Sequence, residues 1–330
     1  MRLIDNRGVT DPRTNLALEE WALRNIEGDD SLLLFYVNEP SIIIGRNQNT
    51  IEEINVDVVK ERGIHVVRRI SGGGAVYHDH GNLNFSFMTP YSPARFNRYD
   101  DFVRPVVEVL RELGVPAEVS GRNDIVADGR KISGNAQFVA RGRMFSHGTV
   151  LVDSDLDAVT AALNPKPGKI ESKGHKSVRS RVANISEFLS HPITVDELRA
   201  RIVERIFGKD AAASTIDLDD AQQDGVRELS ERKYRTWEWN YGVSPRFDIQ
   251  RTKRFPIGEI DARIQVDKGA ITGIRIFGDF MSRRDVAELE ARLHGATYER
   301  DACRTAIADL TIADYFGELS HDEFIELLVD

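Results

Sequence analysis

Chemistry in this chain concentrates in a few short stretches. The first is Arg68-Arg69-Ile70-Ser71-Gly72-Gly73-Gly74-Ala75-Val76-Tyr77-His78-Asp79, where a strand runs into three consecutive glycines and back into a strand. Three glycines remove every side chain from the turn, so a ligand can approach the backbone and accept hydrogen bonds from its N–H groups. A phosphate could be cradled there; equally, the turn could need glycine only for positive φ. The spacing matches neither a P-loop nor a dinucleotide fingerprint. The second stretch is Gly121-Arg122-Asn123-Asp124-Ile125, followed by Gly129-Arg130-Lys131-Ile132-Ser133-Gly134-Asn135-Ala136. With a strand's period of two, Lys131 and Ser133 share a face opposite Arg130 and Ile132. A lysine among small residues can be held over a bound anion, and can equally be an ordinary exposed strand lysine. Third, Phe145-Ser146-His147-Gly148-Thr149-Val150-Leu151-Val152 sets His147 ahead of an apolar strand, as a catalytic base or as a structural hydrogen-bonder. Finally, between Lys166 and Arg181 the cations Lys169, Lys173, Lys176, Arg179 and Arg181 are interleaved with Gly, Ser and Glu171. Such a run is either a solvated loop or a contact for an anion.

The elements that must hold these residues follow from periodicity and punctuation. Asp11-Pro12 followed by Leu18, Trp21, Ala22 and Ile26 predicts a capped amphipathic helix with proline at an early position. Leu32 to Val37 and Ile42 to Gly45 read as two buried strands joined by Asn38-Glu39-Pro40. A short helix near Val56 to Arg62 precedes a strand from His65 to Ile70. Asn82 to Met88 alternates Leu83, Phe85 and Phe87 with polar residues, as a half-buried strand should. Phe102 to Leu113 reads as a helix, Asn123 to Ala140 as a hairpin turning at Asp128-Gly129, and Phe145 to Val152 as a strand. The expected architecture is α+β and sheet-centred, without repeats. After a helical stretch from Asp219 to Tyr234 and the cluster Trp237, Trp239, Tyr241, a boundary falls near Gly242 to Pro245. It divides residues 1–244 from a small α/β accessory module, 245–330, with a hairpin from Ile257 to Phe280 turning at Lys268-Gly269 and helices at Arg283 to Leu293 and His321 to Leu328.

Composition narrows the function classes. The 330 residues, 41% hydrophobic and 29% charged, describe a globular chain of about two domains. At this length roughly 75% of the unfolded surface is buried on folding, so neither disulfides nor metals are required for stability. A single cysteine, Cys303, and a polar amino terminus fit a reducing cytoplasm. The longest apolar run, Leu32 to Val37, is far short of the roughly 18 residues of a membrane span, so no membrane is expected. With 44 basic and 53 acidic residues, the net charge of -9 disfavours long-range attraction to nucleic acid.

Taken in order, these stretches resemble the lipoate-protein ligase A family of the biotin/lipoate protein ligase superfamily. Asn15-Leu16-Ala17-Leu18-Glu19-Glu20 is similar to that family's first-helix motif. Lys173-Gly174 with Ser177-Val178-Arg179-Ser180-Arg181-Val182-Ala183-Asn184 is similar to its adenylate loop. Trp237-Glu238-Trp239-Asn240-Tyr241-Gly242 resembles the motif that opens its carboxyl-terminal domain. The resemblance implies a class II synthetase/biotin-ligase-like mixed sheet with flanking helices, plus the accessory module. It also implies two reactions: lipoate and MgATP form lipoyl-AMP, which then acylates a lysine of a lipoyl domain, as in the E2 subunits of 2-oxoacid dehydrogenases or the H protein of glycine cleavage. On this reading the protein is a monomer.

Carried over residue by residue, Lys131 matches the catalytic lysine, touching both acyl carbonyl and α-phosphate. Arg69, Gly74, Ala75, Val76, Tyr77, Asn123 and Asp124 match nucleotide-binding positions. Arg69, Ser71, Gly72, Gly73, Gly74, Val76, His78, Ser133 and His147, with Lys131, match the acyl site, and Leu16 with Val76 is assigned to the tail of its pocket. Lys173, Ser177, Arg179 and Arg181 match the adenylate loop, expected to close over the intermediate. Asp124 with Asn123 is the pair to examine for magnesium, since hard cations favour oxygen donors.

Physics agrees that cations are needed. Two unit anions at 4 Å repel by about 4 kcal/mol at an effective dielectric of 20. Lys131 and Arg69 can offset that. Three alternatives remain: an octanoyl or lipoyl transferase working through a cysteine thiolate, for which Cys303 lies far from the motifs; a biotin ligase, suggested by Arg141-Gly142-Arg143; and a non-catalytic module that binds lipoyl domains. Octanoate in place of lipoate is a further open choice.

Overall fold

The structure, a computed structural model, describes residues 1–330 except 122, 164–180, 213, 242–248, 268 and 330, and leaves aside the side chains of residues 51 and 52. Its centre is an eight-stranded mixed sheet. The strands are β1 (Arg2–Ile4), β2 (Leu32–Tyr36), β6 (Asn82–Pro90), β7 (Ala117–Ser120), β8 (Asp124–Ala127), β9 (Arg130–Ala140), β10 (Arg143–Leu151) and β11 (Thr215–Ile216). They lie in the order β11-β1-β2-β6-β10-β9-β8-β7. β1 pairs in parallel with β2 and β11, and the other pairings are antiparallel. A second sheet, β4-β3-β5, is built from β3 (Ser41–Ile44), β4 (His65–Arg68) and β5 (Val76–His78).

Both faces of the large sheet are covered. One packs Phe85, Phe87 and Leu83 against the helices Asp100–Glu112 and Val195–Phe207; the other packs Leu32, Leu34 and Tyr36 against the helix Pro12–Asn25 and the helix Asp220–Leu229. This double cover explains why β2 is apolar throughout, and it corrects the expectation for β6. That strand is not half-buried: from Asn82 to Thr89 every residue is buried, its polar members included. Alternation of Asn82, Asn84 and Ser86 with Leu83, Phe85 and Phe87 marks a polar interior face, not solvent.

Local signals otherwise translate directly. Asp11 caps the helix Pro12–Asn25 by accepting from the Arg13 and Thr14 backbone N–H groups, with Pro12 in the first turn. Asp128 and Gly129, at φ of 48° and 73°, turn the β8–β9 hairpin, as two left-handed residues should. The helices Leu156–Ala162 and Val195–Phe207 were not anticipated.

Beyond the large sheet, β12 (Ile249–Phe255), β13 (Gly258–Asp267) and β14 (Ala270–Gly278) form an antiparallel meander backed by the helices Ala287–Leu293, Arg300–Ala306, Ala313–Phe316 and His321–Val329. Their core, with Ile260, Ile264, Phe280, Leu289, Tyr315 and Phe324, is formed by residues 255 to 328. The expected hairpin is β13–β14; β12 and two of the helices were missed, because Gln250 to Arg254 carry too few apolar residues to show alternation. The boundary expected at 244/245 falls within 242–248, outside the described residues.

This unit meets the rest of the chain at the glycine turn. Gly73 N–H donates to the Phe280 carbonyl, Gly278 N–H donates to the Asn47 carbonyl (2.6 Å), and Arg46 pairs with Asp285. A Cβ on Gly72 would lie 2.3 Å from the Phe280 oxygen and 2.9 Å from the Met281 Cα, both backbone atoms that cannot step aside. Gly72→Ala should therefore lower stability by about 1–3 kcal/mol, the usual range for overpacking, as measured by urea denaturation. An unchanged midpoint would show that the contact is not maintained in solution.

Candidate active site

Two cavities meet beside the triple-glycine turn. The first, of about 130 Å³, runs under β5 and is walled by Leu16, Tyr36, Ile43, Arg69, Val76, His78 and His147, among others. The second, of about 320 Å³, is lined by Tyr77, Ser133, Leu151, Val159, Leu163, Arg181 and Val182, among others. Gly74, Ala75, Val76, Lys131, Gly134 and Thr149 line both, and so form the neck between them.

Lys131 is placed there by the β8–β9 hairpin. A bulge lets Ile125 face Ser133 but Val126 face Lys131, leaving Ile132 as the extra residue, buried in the core. Lys131 and Ser133 consequently share the cavity side, as expected. The Lys131 Nζ sits 2.7 Å from Asp124 Oδ1, and both side chains are about one-third exposed. A Cβ at Gly134 would lie 2.8 Å from that Nζ, so a side chain at 134 would push the ammonium out of the neck. The Lys131 carbonyl accepts from Ala183 N–H, and Lys131 bridges to Val182, which brings Arg181 to the second cavity. Of the expected adenylate-loop residues Arg181 alone is described; Lys173, Ser177 and Arg179 lie outside the described residues.

Arg69 has a different setting from the one the sequence suggests. Its guanidinium is buried and bonds to the protein itself: Nη1 donates to the Ile43 carbonyl, Nη2 to the carbonyls of Gly72 (2.7 Å) and Gly74 (2.9 Å), and Nε to Ser71 Oγ. Burial pulls its pKa down to about 10, although Tyr36 and Glu19 act in the opposite direction. It lines the first cavity as a brace for the turn. Ser71 and Gly72 line neither cavity: Ser71 is buried behind the wall, and Gly72 faces Phe280 and Met281. Gly73, at φ 95°, directs its N–H to Phe280, so the turn does not present a full row of donors.

Behind the first cavity runs a buried chain of hydrogen bonds. Both Glu19 carboxylate oxygens lie 3.0 Å from His147 Nδ1, and His147 Nε2 lies 2.8 Å from Ser71 Oγ, which in turn accepts from Arg69. The carboxylate can only accept, so Nδ1 carries a proton and the ring is held from both sides. Phe145 stacks on it at 4.5 Å. His78, also buried, has its pKa lowered to about 3 by burial first, then by Arg69 and His147. Sequence reasoning named His78 and His147 but missed Asn84 and Asn135 in the wall and Glu19 and Asn38 behind it. The signal was present: Asn15 and Glu19 are one turn apart on the apolar face of a helix, where an unpartnered polar side chain would be costly.

Cys303 is buried in the carboxyl-terminal core, its Sγ beside the Thr297 carbonyl, and burial raises its pKa. A thiolate nucleophile at the cavities is therefore absent among the described residues. No group of three metal-ligating side chains occurs among them, and no helix is long and apolar enough to cross a membrane.

Comparison with known proteins places the chain in a family. Residues 11–207 match the lipoyl protein ligase A/B catalytic domain, and residues 244–328 match the bacterial lipoate protein ligase C-terminus. Lipoate-protein ligase LplJ of Bacillus subtilis is 50% identical over 99% of this chain and 100% of its own length. Lipoate-protein ligase 1 of Staphylococcus aureus is 46% identical over 99% and 100%. Among solved structures, P. falciparum LipL1 in complex with lipoate aligns with a TM-score of 0.76 at 25% identity, covering 94% of each chain. A lipoate-protein ligase A bound with ATP aligns at 0.60 with 31% identity, over 74% of this chain and 99% of that one.

The His78 environment makes a thermodynamic prediction. Between the ordinary value of 6.5 and about 3 the unfolded chain binds a proton that the native state does not. The contribution of His78 to stability is thus whole above pH 6.5 and is lost as pH falls, at up to about 1.4 kcal/mol per pH unit. Relative to His78→Gln, which cannot titrate, the wild type should lose stability more steeply between pH 6 and pH 4. Parallel curves in denaturation experiments would mean that His78 titrates normally.

Proposed function

The chain belongs to the lipoate-protein ligase family, and from that premise we propose how its two cavities divide the reaction. The first cavity takes the acyl chain of lipoate, and the larger second cavity takes ATP. Their shared neck is where carboxylate and α-phosphate must meet, and the observation that carries the reading is the single ammonium of Lys131 lining both. There it offsets the repulsion of two anions and then the charge gathering on the acyl oxygen. Attack of the carboxylate oxygen on the α-phosphorus releases pyrophosphate and leaves lipoyl-AMP. The amine of an acceptor lysine then attacks the acyl carbonyl, AMP departs, and an amide remains.

Gly74, Ala75 and Val76 form the inner wall of the neck, Tyr77, Ser133 and Arg181 the nucleotide side, and Leu16, Val76, His78 and His147 the acyl side. Gly73 lines the acyl side at the turn, whereas Arg69, Ser71 and Gly72 set the position of the turn and its support. Asn123 lines the first cavity; Asp124 lines neither and stands at the neck through its pairing with Lys131. Magnesium is commonly held by one or two carboxylates together with substrate phosphates and water, so Asp124 with the Asn123 amide oxygen is a sufficient donor set from the protein. The ion would neutralise phosphate charge. An arriving nucleotide would replace Asp124 as the partner of Lys131. The acceptors are lipoyl domains of E2 subunits and H proteins, and residues 245–330 form an accessory module with its own core.

One assay tests the reading. Incubating the protein with lipoate and an apo-lipoyl domain should add a lipoyl mass to the acceptor only when MgATP is present. Lys131→Met should reduce adenylate formation by about 10²–10³-fold, as loss of one transition-state donor does. Wild-type rates in that variant, followed by pyrophosphate release, would remove the role given to Lys131.

A further inference from the structure

Lys131 is not alone at the neck. Among the described residues six line both cavities, and two of them, Lys131 and Thr149, carry polar side chains; Gly74, Ala75, Val76 and Gly134 offer backbone and apolar groups. Thr149 belongs to β10, whose alternation shows where it points. Met144, Val150 and Val152 enter the core shared with the helices Asp100–Glu112 and Val195–Phe207, so the odd-numbered residues stand on the opposite face. Along that face His147 lines the first cavity, Thr149 both and Leu151 the second, at steps of about 7 Å. The row runs under the whole site, with the threonine at its middle.

Its hydroxyl has a hydrogen to give. Gly134 N–H donates to Thr149 Oγ1 (3.3 Å), so the oxygen accepts on that side and its own hydrogen turns away from β9. No acceptor for that hydrogen occurs among the described residues. Thr149 is half-buried, and its side chain projects between the two cavities. Gly134 also underlies Lys131, whose Nζ lies 2.8 Å from where a Cβ of Gly134 would stand. One glycine therefore has the hydroxyl at its N–H and the ammonium over its Cα, and the two donors converge on one small volume.

Resting on the division of cavities given above, we propose that Thr149 is a second catalytic residue: beside Lys131, its hydroxyl donates to the acyl oxygen that does not form the anhydride. In adenylation this hydrogen bond turns the other carboxylate oxygen toward the α-phosphorus. In transfer the same acyl oxygen gathers negative charge as the acceptor amine adds to the carbonyl carbon. It gives that charge up when the C–O bond to AMP breaks and the nitrogen loses its proton to water; Thr149 keeps its own proton throughout. The phosphate, with the greater charge, claims most of a single ammonium, so the acyl oxygen has use for a second donor. A neutral hydroxyl serves the oxyanion without adding to the charge that retains AMP.

Two ligands test it: lipoyl-AMP, and the analogue in which a CH₂ replaces its acyl carbonyl, each titrated into the protein by calorimetry. The wild type should bind lipoyl-AMP more tightly by about tenfold or more. Thr149→Val, of the same shape without the donor, should cut that preference by about five- to tenfold, and should slow single-turnover transfer from lipoyl-AMP to an apo-lipoyl domain by about 10²-fold. Thr149→Ser, which restores a hydroxyl, should recover both to within about threefold of the wild type. A preference unchanged in Thr149→Val overturns the proposal, since a merely structural threonine, or one that donates to phosphate, weakens both ligands alike. Thr149→Ser as impaired as Thr149→Val overturns it too. Should Thr149→Val fail to fold, Thr149→Ala is read by the same ratio. A wild type that does not distinguish the two ligands overturns the proposal without any variant, and one that binds neither overturns the division of cavities instead.

Discussion

The interaction on which the site depends is the buried guanidinium of Arg69. Burying a cation is expensive unless its donors are met, and here they are met by carbonyls of Ile43, Gly72 and Gly74 and by a hydroxyl. Those oxygens come from the second sheet and from both ends of the glycine turn, so one planar group fixes how the turn leaves β4 and enters β5. Without it, three glycines in succession would have too much conformational freedom to hold an edge of a cavity. Gly45 completes the arrangement, since a Cβ there would lie 1.9 Å from the Gly73 oxygen. Its neighbour Arg68, pointing the other way, bonds the carbonyls of Gly45, Arg46, Gln48 and Trp239. The paired arginines thus anchor two loops to one strand.

From that brace the order of the first cavity's wall follows. Arg69 donates to Ser71, Ser71 meets His147, and His147 is held by Glu19 from the first helix. The chain connects β4, β10 and the helix Pro12–Asn25 across the interior of the protein. Each link sets the donor and acceptor roles of the next. At the neck the logic differs: Lys131 is one-third exposed, paired with the Asp124 carboxylate, and stands on a bulged strand. A partner that can be replaced by an anion suits a group that must meet changing charge, whereas a buried network suits groups that must not move.

Much of this was legible before the fold was seen, and the reasons are specific. Asp11-Pro12, Asp128-Gly129 and the triple glycine are local signals whose meaning needs no tertiary context. Lys131 and Ser133 could be placed on one side of their strand from a period of two, a result that survived the bulge at Ile132. What could not be read was pairing across distance. Nothing near Glu19 in sequence announces His147, 128 positions away, and Asn38 gives no sign of standing between Asn15 and His78. The partners of Arg69 could not be read for the same reason. A guanidinium beside glycines suggests a phosphate, and the carbonyls that occupy it come from a turn whose path it determines. β6 was misjudged because alternation reveals two faces without saying that the polar one looks into a cavity.

That polar inner face carries a last consequence for the chemistry. Asn84 and Asn135 line the first cavity together with His78 and His147, so it is partly walled by fixed dipoles. Uniformly aliphatic walls would hold any fatty acid of the right length, since a methylene more or less changes binding by only about 1–3 kcal/mol. Dipoles held by a network behave differently, because an acid that fails to answer them leaves buried groups unsatisfied. The same network explains the first helix: its apolar face admits Glu19 because it meets His147, and Asn15 because it meets Asn38, which in turn meets His78. Order in this wall is therefore built into hydrogen-bond direction, and it reaches back through Asn38 and Asn15 to the carbonyls of Val9 and Val37 and through Ser71 and Arg69 to those of Ile43, Gly72 and Gly74.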